Sequence, residues 1–440
     1  MITGCLAATI GAVASFGAFA DEAPLPIADK DSHMGVFSCS GSTCHGAVQP
    51  WQNANVLQNE FVTWQRKDKH AKAYQVLLDE RSKRIARNLG LKSAHTAKIC
   101  LDCHADNVSQ ARRHQTFQMT DGVSCEACHG GAGRWIGTHI MANASHQKNI
   151  ENGLYPTAEP VSRARLCLSC HFGDDSRPMT HRIMGAGHPR ISFELDTFTA
   201  IQPAHFTVDA DYRKRKGDWN GVQLWAIGQV TAIISLLDQV LDSKRNRNGV
   251  FPELVVFDCH SCHRPMSGLK WERRATVGLP PGMVRINDSN LLMMQIIAGR
   301  VDSDLAAGLR SRTLALHKAT AKSFDKLLEQ AKALREIAVR LRTRFATHKF
   351  GQDDMRALLS GVLKFGFKGE FVDYPGAEQA TMALGAIINA MKNTGSITED
   401  QFGVMNKALK GVLAAVDKDE AYVHKTFVAA LKAFGRTVPR

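Results

Sequence analysis

Hydrophobic residues in the C-terminal third of the chain follow a helical repeat. Between residues 290 and 350, apolar residues recur at intervals of three and four, which leaves lysine and arginine on the other faces. The clearest series is Phe324, Leu327, Ala331, Leu334, Ala338 and Leu341. This spacing predicts one or two long amphipathic helices over 290–350.

Four further segments carry the same pattern and are separated by turns that contain glycine. They cover residues 353–365, 377–392, 399–415 and 420–434. The chain has no cysteine after Cys262, and the composition changes after Pro280-Pro281-Gly282. We therefore predict an all-α, bundle-like domain over 283–440 that carries no cofactor and serves docking or assembly.

Residues 21–282 show little strand alternation and many short loops, so the fold class is mainly α with little regular sheet. The longest apolar run is 222–241, which Gln223, Gln229 and Asp238 interrupt. Polar residues at these positions favour a buried or amphipathic helix over a membrane span.

Ten of the eleven cysteines form five pairs, and histidine directly follows each pair. The first motif, 39–45, has the wider form C-x4-C-H, and the other four are C-x-x-C-H: the second (100–104), third (125–129), fourth (167–171) and fifth (259–263). Two thiols about one helical turn apart can bond both vinyl groups of one haem, and the adjacent imidazole then reaches the iron. The motifs predict five haem c groups.

Zinc sites and disulfides are the alternatives for paired cysteines. Zinc knuckles do not require histidine after the second cysteine, and disulfide frameworks are typical of much smaller secreted domains. Histidine makes up only 18 of 440 residues, so chance does not explain five repeats. The predicted covalent attachment residues are Cys39, Cys44, Cys100, Cys103, Cys125, Cys128, Cys167, Cys170, Cys259 and Cys262. The predicted proximal iron ligands are His45, His104, His129, His171 and His263.

Thirteen further histidines could supply the sixth iron ligands. Position near the motifs favours His70, His139, His188, His181 and His33 as distal ligands. The less favoured candidates are His95, His114, His146, His205 and His260. His139 follows the third motif by only ten residues with glycines between, so we expect it to reach a neighbouring haem.

Residues 1–20 form an apolar segment that ends in Ala18-Phe19-Ala20, and this predicts a cleaved signal peptide and a periplasmic protein. An N-terminal membrane anchor is the alternative, although the apolar run is short for a span. The formal charge of +13 would permit nucleic-acid binding. Five haems, however, bring about ten propionate charges that compensate it, so we expect no nucleic-acid partner.

Two segments resemble the cytochrome c-554 family of tetrahaem electron carriers. Trp64 with His70-Ala-Lys-Ala73 is similar to the family segment behind the first haem. The stretch Gly122-Val-Ser-Cys125-Glu-Ala-Cys128-His129-Gly130, followed by His139, is similar to the segment around the third haem. The resemblance covers about residues 33–175, and it implies compact packing with stacked haem pairs and distal roles for His70 and His139. It also implies that the second haem lacks a sixth ligand.

These features predict a periplasmic pentahaem cytochrome that transfers electrons through closely packed, mostly bis-histidine haems, with no catalytic residues. Other redox proteins are the expected partners, among them a membrane-bound quinol oxidase or a periplasmic oxidoreductase. The alternative is a reductase or oxidase of small nitrogen or sulfur compounds at one five-coordinate haem. The sequence leaves open the oligomeric state, the haem potentials and the pairing of distal histidines with haems.

Overall fold

A computed structural model describes residues 23–54, 56–244, 253–263, 274, 276–280 and 283–439. The predicted signal peptide, 1–20, lies outside these residues. The described chain is mainly helical, as predicted. In place of strands, its only β-pairings are isolated bridges that join His33 to Arg113 and Phe257 to Ile286.

Short helices and loops make up the region that carries the motifs. Its α-helices are α1 (Glu60–Lys67), α2 (Ala73–Val76), α3 (Glu80–Leu89), α4 (Lys98–His104), α5 (Cys125–His129), α6 (His146–Glu151), α7 (Pro160–Leu168), α8 (His181–Gly185), α9 (Leu195–Ile201), α10 (Ala210–Lys216) and α11 (Gly221–Leu241). Single-turn 3-10 helices lie at Pro26–Ala28, Val36–Ser38, Lys69–Lys72, Ala94–Thr96, Gln110–Arg112, Met119–Asp121, Thr138–Ile140, Leu254–Val256 and Cys259–Ser261. A π-helical turn, Ser169–Gly173, follows α7.

Long helices make up the C-terminal region. They are α12 (Ser289–Val301), α13 (Ser303–Thr320), α14 (Phe324–Thr347), α15 (Gln352–Phe367), α16 (Tyr374–Asn393), α17 (Glu399–Ala414) and α18 (His424–Gly435), and a 3-10 helix, Asp419–Ala421, precedes α18. The apolar series predicted over 324–341 is confirmed in α14, where its residues from Leu327 to Leu341 are buried.

Residues 290–350 form three helices where one or two were predicted. The side chain of Asp302 accepts a hydrogen bond from the backbone N–H of Leu305 and caps α13. Ser323 does the same for Lys326 at the start of α14. These caps satisfy free N–H groups at each new helix start, so the chain turns while the apolar spacing continues almost unbroken.

Helix α11 lies at the centre of the hydrophobic core. It packs against α14, α12 and α7, and one cluster of buried residues extends from Ala164 in α7 to Phe434 in α18. Gln229 of α11 also accepts a hydrogen bond from Asn290 and donates one to Gln379. The boundary placed between 282 and 283 therefore crosses a shared core, and the division into domains stays a prediction.

The span 210–241 is long and apolar enough to cross a membrane by length and composition, but 83% of its most apolar window is buried inside the protein. Burial by protein on nearly all sides explains why α11 is so apolar. The prediction of a buried helix at 222–241 is confirmed.

Candidate haem sites

Each motif places its cysteines and histidine on a short helical segment or tight turn. The second motif lies in α4, the third forms α5, the fourth joins α7 to the π-helical turn, and the fifth begins in a 3-10 helix. One helical turn brings the two thiols of a C-x-x-C pair to the same side. All ten cysteines within the described residues are free. The two thiols of a C-x-x-C pair are thus placed where one ligand could bind both.

The most informative feature is a set of five histidine pairs. The histidine of each motif faces a histidine from a distant segment, with ring centroids 6.0 to 6.4 Å apart. The pairs are His45 with His139, His104 with His188, His129 with His205, His171 with His70, and His263 with His181. No motif histidine lacks a facing histidine.

This spacing fits one metal ion between two imidazoles. Metal–nitrogen bonds of about 2 Å put the two ligating nitrogens about 4 Å apart, and the ring centres then lie roughly 6 Å apart. Direct stacking of two imidazoles would bring the centroids closer together. The residues present therefore fit five haem irons, each with one proximal and one distal histidine.

Hydrogen bonds at the other ring nitrogen support this arrangement. In five of the ten paired histidines, Nδ1 lies 2.6 to 3.0 Å from a carboxylate or carbonyl oxygen. The pairs of atoms are His45 with Glu60 Oε2, His70 with Asp68 Oδ1, His104 with Ala73 O, His139 with Ile136 O, and His188 with Pro189 O. Metal-bound histidines are usually held this way, because a donor at Nδ1 leaves Nε2 unprotonated for the metal.

Histidines outside the five pairs show a different pattern. Nε2 faces a carboxylate in His260, His317 and His348, at 2.5, 3.1 and 3.0 Å. His33 is fully buried, with Nδ1 2.8 Å from Asp106 and Nε2 3.6 Å from Asp29. In four of the eight histidines outside the pairs a carboxylate thus lies near a ring nitrogen, and in His260, His317 and His348 it lies within hydrogen-bonding distance of Nε2.

Four of the five histidines favoured as distal ligands face a motif histidine. They are His70, His139, His181 and His188. His205, which was among the less favoured candidates, faces the remaining motif histidine, His129, whereas His33 faces none, and the distal roles of all these histidines stay predictions. His139 faces the first motif, not its own.

Burial keeps two of the motif imidazoles neutral. It lowers the pKa of His129 to about 3 and that of His171 to about 4. The ring of His171 also stacks on Phe193, with centroids 4.8 Å apart. Neutral imidazole is the form that binds a metal, so these environments suit ligation at neutral pH.

Cysteines of different motifs are close neighbours. The Cys125 thiol lowers the pKa of Cys39 and the Cys103 thiol lowers that of Cys170, so the thiols of each pair lie close together. The first motif therefore lies beside the third, and the second beside the fourth. Arg177 donates a hydrogen bond to the Cys170 sulfur at 3.2 Å and adds a positive charge between the second and fourth motifs.

Comparison with known families found a match, which covers part of this region. Residues 38–130 match the family of cytochrome c554 and c-prime. The matched stretch contains the first three motifs and supports a c-type cytochrome that holds haem c and acts in electron transfer. Proteins of this family are typically extracytoplasmic. No curated protein and no solved structure matched the chain.

Proposed function

We propose that the protein is a pentahaem c-type cytochrome that transfers electrons between redox partners outside the cytoplasm. The observation that carries the proposal is the set of five facing histidine pairs, one at every motif. A haem iron with two histidine ligands exchanges single electrons and offers no open position to a substrate.

The chain's own residues serve this role in three ways. The cysteine pairs would attach the haems, the two histidines of each pair would bind its iron, and the Nδ1 hydrogen bonds of five of these histidines hold their ring orientation. The closeness of thiols from the first and third motifs, and from the second and fourth, supports short distances between haems. Short distances between redox centres favour rapid electron transfer over catalysis at an isolated centre.

The second motif distinguishes the carrier from the enzyme alternative. Resemblance to the cytochrome c-554 family implies an open sixth position at this haem. Here His188 faces His104 with ring centroids 6.4 Å apart, and its Nδ1 is held by the Pro189 carbonyl. Because a histidine occupies the space where a substrate would bind, the geometry favours electron transfer over reduction of small nitrogen or sulfur compounds.

We further propose a periplasmic location after cleavage of residues 1–20, with other redox proteins as donor and acceptor. A membrane-bound quinol oxidase or a periplasmic oxidoreductase would suit either role. Covalent haem attachment outside the cytoplasm and the apolar, Ala-Phe-Ala-terminated start of the sequence support this proposal.

Mass spectrometry and electron paramagnetic resonance (EPR) of the oxidised protein test the proposal. We expect five haem additions and only low-spin ferric signals. His205→Ala should convert one haem to the high-spin form without loss of attachment, whereas His33→Gln, the matched control, should keep five low-spin haems.

Two results would contradict the proposal. Fewer than five additions would remove a motif from the haem count. A high-spin signal in the unmodified protein that disappears with cyanide would reveal an open iron and favour the enzyme.

A further inference from the structure

The fifth motif is joined to the C-terminal region by a buried arginine. Asp258 directly precedes Cys259, its side chain is 1% exposed, and its Oδ2 accepts a hydrogen bond of 2.6 Å from Arg285 Nη2. The backbones pair as well, because Asp258 N–H donates to the Arg285 carbonyl at 3.0 Å and Asn287 N–H donates to the Val256 carbonyl at 3.0 Å. The chain before Cys259 is thus fixed to the segment before α12.

The same guanidinium reaches the start of two C-terminal helices. Arg285 Nη1 donates to Asp288 Oδ1 at 2.8 Å, and Arg285 Nη2 is also paired with Asp373. Asp288 is the N-cap residue of α12, and Asp373 is the N-cap residue of α16. The planar fork of arginine can bind several carboxylates in fixed directions, which lysine cannot do. Arg285 therefore links the residue before the fifth motif to the starts of α12 and α16, and Arg274 pairs with the same two N-cap aspartates.

A second contact holds the motif from its other side. His260, inside the motif, lies with Nε2 2.5 Å from Oδ1 of Asp419, which belongs to the 3-10 helix before α18. Arg190 pairs with Asp419 at 3.3 Å and with Glu378 of α16 at 2.8 Å. Asp419 thus contacts the fifth motif directly, and Arg190 links Asp419 to α16.

His181, the histidine that faces His263, is hydrogen-bonded to the chain just before the fifth motif. Glu253 Oε1 accepts a hydrogen bond of 3.0 Å from the backbone N–H of His181, the first residue of α8. Glu253 lies five residues before Asp258, so both members of the His181–His263 pair are positioned by the chain around 253–258. That chain segment is in turn held by Arg285.

We propose that the C-terminal helices form part of the fifth haem site, with Arg285 as the positioning residue that holds the fifth motif opposite His181. The proposal rests on the proposed function, since it assumes a haem at Cys259 and Cys262. It gives the C-terminal region a role inside the redox protein, in addition to any docking role. Residues that orient metal ligands typically affect metal binding about 10- to 100-fold when they are replaced.

Arg285→Met in the full-length protein tests this positioning role. We expect five haem additions as before, loss of one of the five low-spin EPR signals, and a new high-spin signal equal to one haem. Arg285→Lys, which keeps the charge, should restore part of the low-spin signal. Arg300→Met is the matched control, because Arg300 pairs with Asp354 in the same helical region but contacts no motif.

The other outcomes separate the positioning role of Arg285 from the proposed function. Five unchanged low-spin signals in folded Arg285→Met would overturn the positioning role, and so would an equal loss in Arg300→Met. If Arg285→Met does not fold, Asp419→Asn decides, since it removes the contact with His260 at a partly exposed site and should shift the potential of one haem only. A parent protein with four haems and unmodified Cys259 and Cys262 would instead defeat the fifth haem of the proposed function.

Discussion

Replacement of Glu60 by glutamine should raise the reduction potential of one haem. Glu60 Oε2 accepts a hydrogen bond of 2.9 Å from Nδ1 of His45, the histidine of the first motif. This bond raises the pKa of His45. Burial acts to raise the pKa of Glu60, but the hydrogen bond and charge of His45 and the backbone N–H groups that Glu60 accepts from together lower it. The Glu60 carboxylate is therefore a charged acceptor next to a proposed iron ligand.

The direction of the shift follows from charge. Oxidation of the iron draws electron density from the imidazole, so the carboxylate stabilises the ferric state more than the ferrous state. Removing the charge favours the reduced state, and the potential rises. Hydrogen bonds to charged groups contribute about 1.5–3 kcal/mol. If about 1 kcal/mol of this differs between the two oxidation states, the shift is about 40 mV for one electron.

Glutamine is chosen because it preserves the other contacts of Glu60. The Oε1 atom of Glu60 accepts hydrogen bonds from the backbone N–H groups of Leu57 and Gln58, and a glutamine amide oxygen can do the same. The loop before α1 should therefore keep its conformation, and the change should be confined to the bond with His45.

Redox titration monitored by EPR measures the effect. One low-spin signal should shift upward by about 40 mV while the other four stay in place. Glu80→Gln is the control, because Glu80 is exposed and pairs only with Lys83 on the surface of α3. A downward shift, or a shift no larger than that of the control, would refute a charged hydrogen bond from Glu60 to the iron-binding histidine of the first motif.

Two further predictions concern the whole molecule. Near-parallel imidazole planes separate the energies of two iron d orbitals, and perpendicular planes do not. EPR should therefore show two rhombic signals from the histidine pairs with interplanar angles of 13° and 25°, and three signals with one large g value from the pairs at 81° to 90°. Five rhombic signals would contradict these ring orientations. Truncation after Gly282 should yield an aggregating protein that lacks the fifth low-spin haem, because it exposes the apolar surface of α11 that packs on α12 and α14. Size-exclusion chromatography and EPR measure the two effects. A monomeric fragment with five low-spin haems would show that the haem sites do not depend on residues 283–440.

Local pattern predicted most of the helical fold. The spacing of apolar residues located α14 to α18 within a few residues, because each helix buries one stripe against its neighbours. It could not show that α11 belongs with those helices, since an apolar run carries no information on which segment will cover it. The packing of α11 on α14 joins residues about one hundred positions apart and depends on tertiary structure.

The predicted haem-binding residues also differ in whether they lie close together in the sequence. Attachment and proximal residues lie within five or seven consecutive positions, so the sequence alone predicts them. Distal residues come from distant segments, and the choice between His33 and His205 depends on neighbours that the sequence does not reveal. His33 is close to the first motif in sequence, but Asp29 and Asp106 engage its ring in the fold.

The two kinds of histidine environment suggest how this chain keeps its ligand set unambiguous. With 18 histidines and five proposed irons, misligation is a hazard during haem attachment. A carboxylate lies within hydrogen-bonding distance of Nε2 in His260 and His317, and Asp106 lies 2.8 Å from Nδ1 of His33. Because these rings would have to give up or rearrange an ionic contact before they could bind iron, we expect the acidic partners to disfavour wrong ligands.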